Sequence, residues 1–298
     1  MSEITILGIF VADISFSGDK IPTSGETILG DSYNIRPGGK GCNQAIAISR
    51  LGGKVNFISK LGDDEYGKLA INKLQKDNID TSNIIISKNH RTGVAGIHVD
   101  KNTGKNAITV VRGAPSSMTI DEINIDIIKQ SKIFLTQLEV PLDVTLYCLK
   151  TAKKNGLINI LNPAPACKLN NQFFELIDYF TPNETEAEFY SGVKINNEDD
   201  AKKSAKKLIK LGIKNVIITL GEKGLFYSNG KKEIYIKASK VKAIDTTGAG
   251  DAVNGGFSVA LLEGKEINEC LYLANRIAGL STTRLGAGDS MPTLNELK

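Results

Sequence analysis

Histidine and cysteine are scarce in this sequence. Its 298 residues hold two histidines, His90 and His98, and four cysteines, Cys42, Cys148, Cys167 and Cys270, far apart along the chain. That spacing matches neither a zinc-ligand pattern nor a disulfide framework, which suits the reducing cytoplasm. Excess charge is also lacking, and a formal net charge of +4 is too slight for a nucleic-acid footprint. No apolar run approaches a membrane span. The N-terminal run Ile4–Ala12 is interrupted by Gly8, ended by Asp13 and preceded by no basic segment. Complete nucleotide signatures are missing too. Gly38-Gly39-Lys40-Gly41 lacks the earlier glycine of a Walker motif, and Gly62–Leu69 has acids where phosphates would lie and Leu69 where Ser or Thr should meet magnesium. No G-x-G-x-x-G is complete. These absences disfavour a zinc site, a P-loop enzyme and a nicotinamide enzyme, and the expectation is a soluble cytoplasmic protein.

The length is near the upper limit for one hydrophobic core, so one large α/β domain, or one with a small appendage, is expected. Ile4–Ala12 reads as a buried parallel strand with Asp13 at its carboxyl end, where ligands bind in open α/β sheets, although an Asp there also suits a plain turn. Residues 14–37 break the alternation. Glu26-Thr27-Ile28-Leu29 and Ser32-Tyr33-Asn34-Ile35 look like small exposed strands, and a similar pattern returns at 91–111. The two insertions, 14–37 and 91–111, are expected to meet as a β-sheet lid over a domain of residues 1–13, 38–90 and 112–298. Gly38–Ala45 enters a helix stopped by Gly52-Gly53, its glycines allowing close approach and Lys40 and Asn43 offering donors. A flexible turn explains the glycines equally well, and Cys42 reads as a small filler.

From Ser131 onward strands and helices alternate, as in a doubly wound, mostly parallel sheet. Glu139, Asn183, Glu186, Thr219, Gly221 and Asp251 then gather at the strands' carboxyl edge. Asn183 and Glu186 suit ordering of magnesium, directly or through water, and equally a helix capping box. The run Lys202–Lys210 puts Ala201, Ala205, Leu208 and Ile209 on one helical face and leaves its lysines solvated. Most of the chemistry is expected in Ala243–Gly256. Lys240–Ile244 alternates like a strand, small residues follow, and Asp251 opens an apolar helix. The amides of Gly248, Ala249 and Gly250 at a helix start suit a phosphate, and Asp251 beside them suits proton removal from an attacking hydroxyl. An ordinary turn with Asp251 as a cap remains open from these residues alone.

In order and spacing, Asp13, GGKGCNQA from Gly38, NPAPA at 162–166, TPNETEAE at 181–188, ITLGEKG at 218–224 and DTTGAGDAVNG at 245–255 resemble the ribokinase-like (PfkB) family of carbohydrate kinases over nearly the full length. The resemblance implies an α/β domain with a small β lid, ATP as donor with Mg2+, transfer to a hydroxymethyl oxygen such as the 5-hydroxyl of ribose, and a homodimer formed through the lid. It makes Asp251 the base, with Gly248, Ala249 and Gly250 as the anion hole. It places Val11, Ala12, Asp13, Gly39, Lys40, Gly41, Cys42, Asn43 and Glu139 at the sugar. Asn183, Thr219, Leu220, Gly221, Glu222, Lys223, Gly224, Gly250 and Asn275 are implied at the nucleotide, and Glu186 at the Mg2+–phosphate water shell. A K+ activator is implied beside Asp245, Thr247, Ser281, Arg284, Gly286 and Ser290. One departure concerns substrate. Val11 stands two residues before Asp13 where ribokinases usually have Asn, and members acting on 2-deoxyribose are likewise apolar there. Reduced selectivity for ribose over 2-deoxyribose is therefore expected, since an apolar surface discriminates weakly against a missing hydroxyl.

Overall fold

The computed structural model describes residues 3–297. The chain runs β1 (Ile4–Leu7), β2 (Val11–Gly18), β3 (Ser32–Gly38), α1 (Lys40–Arg50), β4 (Val55–Gly62), α2 (Glu65–Lys76), β5 (Ile84–Ser87), β6 (Thr92–Asp100) and β7 (Asn106–Gly113). It continues through α3 (Ile125–Lys129), β8 (Ile133–Thr136), α4 (Leu142–Lys154), β9 (Ile158–Leu161), α5 (Asn171–Leu176), β10 (Tyr179–Phe180), α6 (Glu184–Ser191) and α7 (Glu198–Lys210). The last elements are β11 (Asn215–Thr219), β12 (Gly224–Ser228), β13 (Glu233–Lys237), α8 (Ala249–Leu262) and α9 (Ile267–Ser281).

Two sheets result. The large one has nine strands in the order β13-β12-β11-β10-β9-β8-β1-β4-β5, parallel from β11 to β5, with β12 and β13 added antiparallel. Its central strands are apolar on both faces because helices cover both. On β1, Ile4 and Ile6 join one core layer with Cys42, Ile46, Phe257 and Ile277 of α1, α8 and α9, while Leu7 joins the opposite layer with Val144, Cys148 and Leu149 of α4. Each such fully buried Ile or Leu contributes about 1.5–3 kcal/mol. The small sheet has the order β3-β2-β6-β7, with β2–β6 parallel and the outer pairs antiparallel. Ser32–Ile35, Gly93–Val99 and Ala107–Val111 fall in its strands as expected, with a turn at Lys101–Lys105 between the last two. Among the described residues, no helix is long and apolar enough to cross a membrane.

Three local expectations need correction. Ile4–Ala12 is not one strand: β1 stops at Leu7 and the chain re-enters extended structure at Val11, in the small sheet. The break falls at Gly8, where a Cβ would lie 2.7 Å from Gly41 Cα, because the start of α1 crosses there. Asp13 therefore belongs to β2 rather than to the end of β1. Glu26–Leu29 is irregular. Lys240–Ile244 is not a strand either; the amides of Ile244 and Asp245 turn to the Thr282 carbonyl at 2.7 and 3.1 Å, while β13 occupies the sheet edge.

Candidate active site

Helix α8 begins in a turn only glycine tolerates. Gly248 has φ 80° and ψ 0°, and a Cβ there would lie 3.0 Å from Ala287 Cα. No side chain caps this helix, so its first-turn amides, backed by the helix dipole, form a site for an anion. The Ala249 amide itself donates to the Thr246 carbonyl at 3.2 Å and holds the turn. Asp251 follows, 6% exposed, with Oδ2 accepting from Asn43 Nδ2 and Oδ1 from Gln44 Nε2, each at 2.9 Å. Burial pushes its carboxyl above the ordinary range against the opposing pull of Lys40, Asn43 and Gln44. A buried carboxylate beside an anion site is thereby made a stronger base.

Helix α1 brings the neighbouring groups. Gly39, with φ 90°, lets the first turn of α1 pass against the β1–β2 crossing, since a Cβ there would lie 2.5 Å from the Ile9 carbonyl oxygen. The Lys40 amide donates to Glu139 Oε2 at 3.2 Å. Burial alone would lower the Lys40 pKa, but Asp251, Glu139 and Glu186 raise it, so the ammonium stays charged among three acids. Burial, then repulsion from Asp251, lifts Asp13 to about 6. Glu139 is lifted to about 7 by burial, with Lys40 opposing and Asp251 reinforcing. Glu186 is raised by burial against the Asn183 amide and Lys40. Asp13, Lys40, Glu139, Glu186 and Asp251 are thus mutually felt charges, and sequence elements nearly the chain's length apart meet at one point.

Val11 is buried in β2 and, by strand alternation, shares the face of Asp13, while Ala12 faces the other way. Val11 Cγ1 lies 2.9 Å from where a Gly93 Cβ would stand. Gly41 and Cys42 are buried, and burial pushes the Cys42 thiol far up, so it is an inert filler. The Asp13 face of the small sheet also carries Arg36, and together with Asp245, Thr247 and Gly286 it walls a cavity of 510 Å³.

On the other side of Asp251, Asn183 and Glu186 form a reciprocal capping box on α6. Glu186 N–H donates to Asn183 Oδ1 at 2.8 Å and Asn183 N–H to Glu186 Oε2 at 2.9 Å. Thr219 bridges to Asn183 in parallel register; Leu220 is buried, Gly221–Lys223 form an exposed turn, and Gly224 opens β12. Asn275 is buried and its Nδ2 donates to the Lys237 carbonyl at 2.9 Å, pinning the end of β13. Asp245 closes a loop beside the Gly248 turn, accepting from Thr247 N–H and Gly286 N–H at 2.9 Å each. Ser281 and Ser290 donate to the carbonyls of Ala278 and Ala287, which leaves their oxygens able to accept a cation, whereas the Arg284 side chain turns to Glu296 at 2.6 Å. Of Arg284, only the backbone suits that role. Among the described residues no group of three or more His, Cys, Asp or Glu could cage a metal. The donors present fit Mg2+ carried by nucleotide phosphates with its water shell against Glu186, the usual arrangement for this ion.

Sequence reasoning missed Gln44, Gln137, Asn162 and Asn254, whose buried amides lie behind Asp251. One signal existed: Gln44 shares a helix face with Gly41 and Ile48, a polar residue on an apolar stripe.

Known proteins resemble this chain along nearly its whole length. A family model described as pfkB family carbohydrate kinase matches residues 1–294. A ribokinase of Haemophilus influenzae is 44% identical over 296 residues, 98% of this chain and 96% of that protein. A deoxyribokinase of Salmonella typhimurium is 32% identical over 297 residues, 99% of this chain and 97% of that protein. The solved structure of Arabidopsis thaliana ribokinase complexed with ribose and ATP superposes with a TM-score of 0.92 at 31% identity, covering 100% of this chain and 98% of that one. On fold, site and sequence together, the chain belongs to the pfkB family of carbohydrate kinases.

Proposed function

We propose that this chain is an ATP-dependent kinase that phosphorylates the 5-hydroxyl of D-ribose, with Asp251 as general base. The observation that carries the reading is the position of Asp251: a buried carboxylate, gripped on both oxygens, one turn into an uncapped helix start. The acceptor hydroxyl donates its proton to Asp251 as its oxygen attacks the γ-phosphorus in line; the bond from that phosphorus to the β–γ bridging oxygen breaks and ADP leaves. Amides of the Gly248–Gly250 turn stabilise the charge that grows on the transferred oxygens. Asp13, Lys40, Asn43 and Glu139 hold the sugar, with Gly39, Gly41 and Ala12 forming the backbone around it. Asn183, the Thr219–Gly224 turn and Asn275 line the nucleotide. Asp13, Glu139, Glu186 and Asp251 make this an acidic site for ATP to enter, only partly offset by Lys40 and Arg112. Glu186 would order the waters of an Mg2+ carried by the phosphates, and that ion would offset the negative charge of the nucleotide. Oxygens of Asp245, Thr247, Ser281, Arg284, Gly286 and Ser290 would hold K+, whose charge would stiffen the adjoining Gly248 turn.

The small sheet serves as the lid, and we propose that two lids pair in a homodimer. Phe16, Tyr33, Ile35 and Val111 support this: strand register puts them on one face, and all are exposed. The scattered free cysteines suit the cytoplasm.

Val11 favours a second reading, 2-deoxyribose as an equal or better acceptor, because its side chain offers no hydrogen bond on the face that carries Asp13. The deciding experiment compares kcat/KM for ribose and 2-deoxyribose with Mg-ATP in potassium buffer, for the wild type and Val11→Asn. A strong wild-type preference for ribose supports the main reading. Parity or inversion, reversed by Val11→Asn, assigns deoxyribose. Turnover of neither sugar overturns both.

A further inference from the structure

Behind Asp251 lies a chain of amides closed off from solvent. Gln44 Nε2 donates to Asp251 Oδ1 at 2.9 Å and to Asn162 Oδ1 at 3.3 Å, and Gln44 Oε1 accepts from Gln137 Nε2 at 2.6 Å. Asn162 Nδ2 donates to the Thr181 carbonyl at 3.0 Å, Thr181 Oγ1 to Asn254 Oδ1 at 2.7 Å, and Asn254 Nδ2 to the Gly250 carbonyl at 2.9 Å. Gln44 is 0% exposed, Gln137, Thr181 and Asn254 1%, and Asn162 8%. One end of this chain is the base; the other is the backbone of the turn that meets the phosphoryl group.

The orientation of Gln44 is forced. An ionised carboxylate only accepts, so the amide nitrogen must face Asp251, and its second N–H is taken by Asn162. With both donors committed and no exposed surface, Gln44 cannot touch a sugar. Of the charged groups at the site, Gln44 bonds Asp251 alone. Asn43 and Gln44, successive residues of α1, hold one carboxylate oxygen each and so fix the plane of the group.

We propose that Gln44 is a positioning residue for phosphoryl transfer: it locks the Asp251 carboxylate towards the acceptor hydroxyl and, through Asn162, Thr181 and Asn254, keeps that carboxylate in register with the anion-hole turn. The inference rests on Asp251 being the base. A carboxylate held by buried, committed donors suits such a task, because a free carboxylate would rotate; Gln137 Oε1, at the far side of Gln44, is the one oxygen of this chain of amides without a partner. The charged groups around Asp251 are Lys40 of α1, Asp13 of β2, Glu139 after β8 and Glu186 of α6; none of them replaces the neutral donor at Oδ1.

The test is Gln44→Met, of similar length and without a donor, assayed with whichever of ribose and 2-deoxyribose turns over faster. Losing a hydrogen bond to a charged group should lower kcat about 10–100-fold. KM for sugar and ATP should stay within about threefold, because neither substrate meets Gln44. The acid limb of the kcat–pH profile should move up by about one unit, as the carboxylate loses a stabilising donor. Gln44→Met/Asn162→Leu should be no slower than Gln44→Met, since Asn162 acts through Gln44. A well-folded Gln44→Met with wild-type kcat and an unmoved acid limb overturns the proposal. If Gln44→Met does not fold, Gln137→Met carries the test: kcat lower by about threefold or more supports the proposal, and an unchanged kcat overturns it. Asp251→Asn in the same assay separates the two readings. Normal turnover there overturns the base assignment itself, whereas a dead Asp251→Asn beside a normal Gln44→Met overturns only the role of Gln44.

Discussion

Replacing Glu139 by glutamine should make the ligand-free protein more stable at pH 8 and change little near pH 4.5. The reasoning starts from burial, which lifts the Glu139 carboxyl from 4.5 to about 7 against the pull of Lys40. A folded-state pKa above the unfolded one means the native state holds its proton more tightly. That contribution is complete below pH 4.5 and is lost as pH rises through 7. At about 1.4 kcal/mol per pH unit, the gap corresponds to about 3 kcal/mol removed from the wild type by pH 8. Glutamine is neutral throughout and its oxygen still accepts the Lys40 amide, which Glu139 Oε2 meets at 3.2 Å. Lys40 keeps Asp251 and Glu186 as counter-charges. Urea unfolding of both proteins at pH 4.5, 6, 7 and 8 measures the difference, with sugar phosphorylation followed alongside. Asp13, lifted to about 6, slopes both curves alike, so the gap between them is the quantity to read. A gap that stays flat with pH, or a variant less stable at pH 8, would refute the argument.

Asp251→Ala should cut kcat by about a thousandfold or more while nucleotide affinity, measured by calorimetry, changes little; near-normal turnover would remove Asp251 from the base role. Gly248→Ala forces a Cβ to within 3.0 Å of Ala287 Cα at φ 80°, and should cost about 1–3 kcal/mol of stability and most of kcat. Wild-type melting and turnover would mean the turn relaxes freely. In sedimentation velocity the wild type should run as a dimer and Tyr33→Ser together with Phe16→Ser as a monomer, since both side chains lie on the exposed apolar face of the small sheet. An unchanged sedimentation coefficient would place the contact elsewhere.

Much of the architecture was legible because alternation of strand and helix from Ser131 onward leaves few topologies. Where reading failed, the missing information was spatial. The run Ile4–Ala12 is apolar but for Thr5 and Gly8, and nothing along the chain says that Ile9–Ala12 leaves one sheet for another; the crossing of Gly41 over Gly8 decides it. Lys240–Ile244 has strand alternation, yet its neighbour position at the sheet edge is already filled by β13. The site divided in the same way. Asp251 and the glycines of its turn are adjacent in sequence and announce themselves. Gln44, Gln137, Asn162 and Asn254 are spread over 211 positions, and their common role exists only once the helices and strands that carry them have packed.

The small sheet is inserted into the large one rather than appended to it. The chain departs after Leu7 and returns at Lys40, then departs after Ser87 and returns at Ala114. Val11 and Asp13 ride on the inserted part, while Asp251, the Gly248 turn and the Thr219–Gly224 turn sit on the other. If Val11 and Asp13 meet the acceptor as proposed, drift in the inserted strands would retune part of the choice of alcohol while the Gly248 turn and Asp251 stay in place. For evolution, and for anyone redesigning this enzyme, the insertion is an exchangeable cassette.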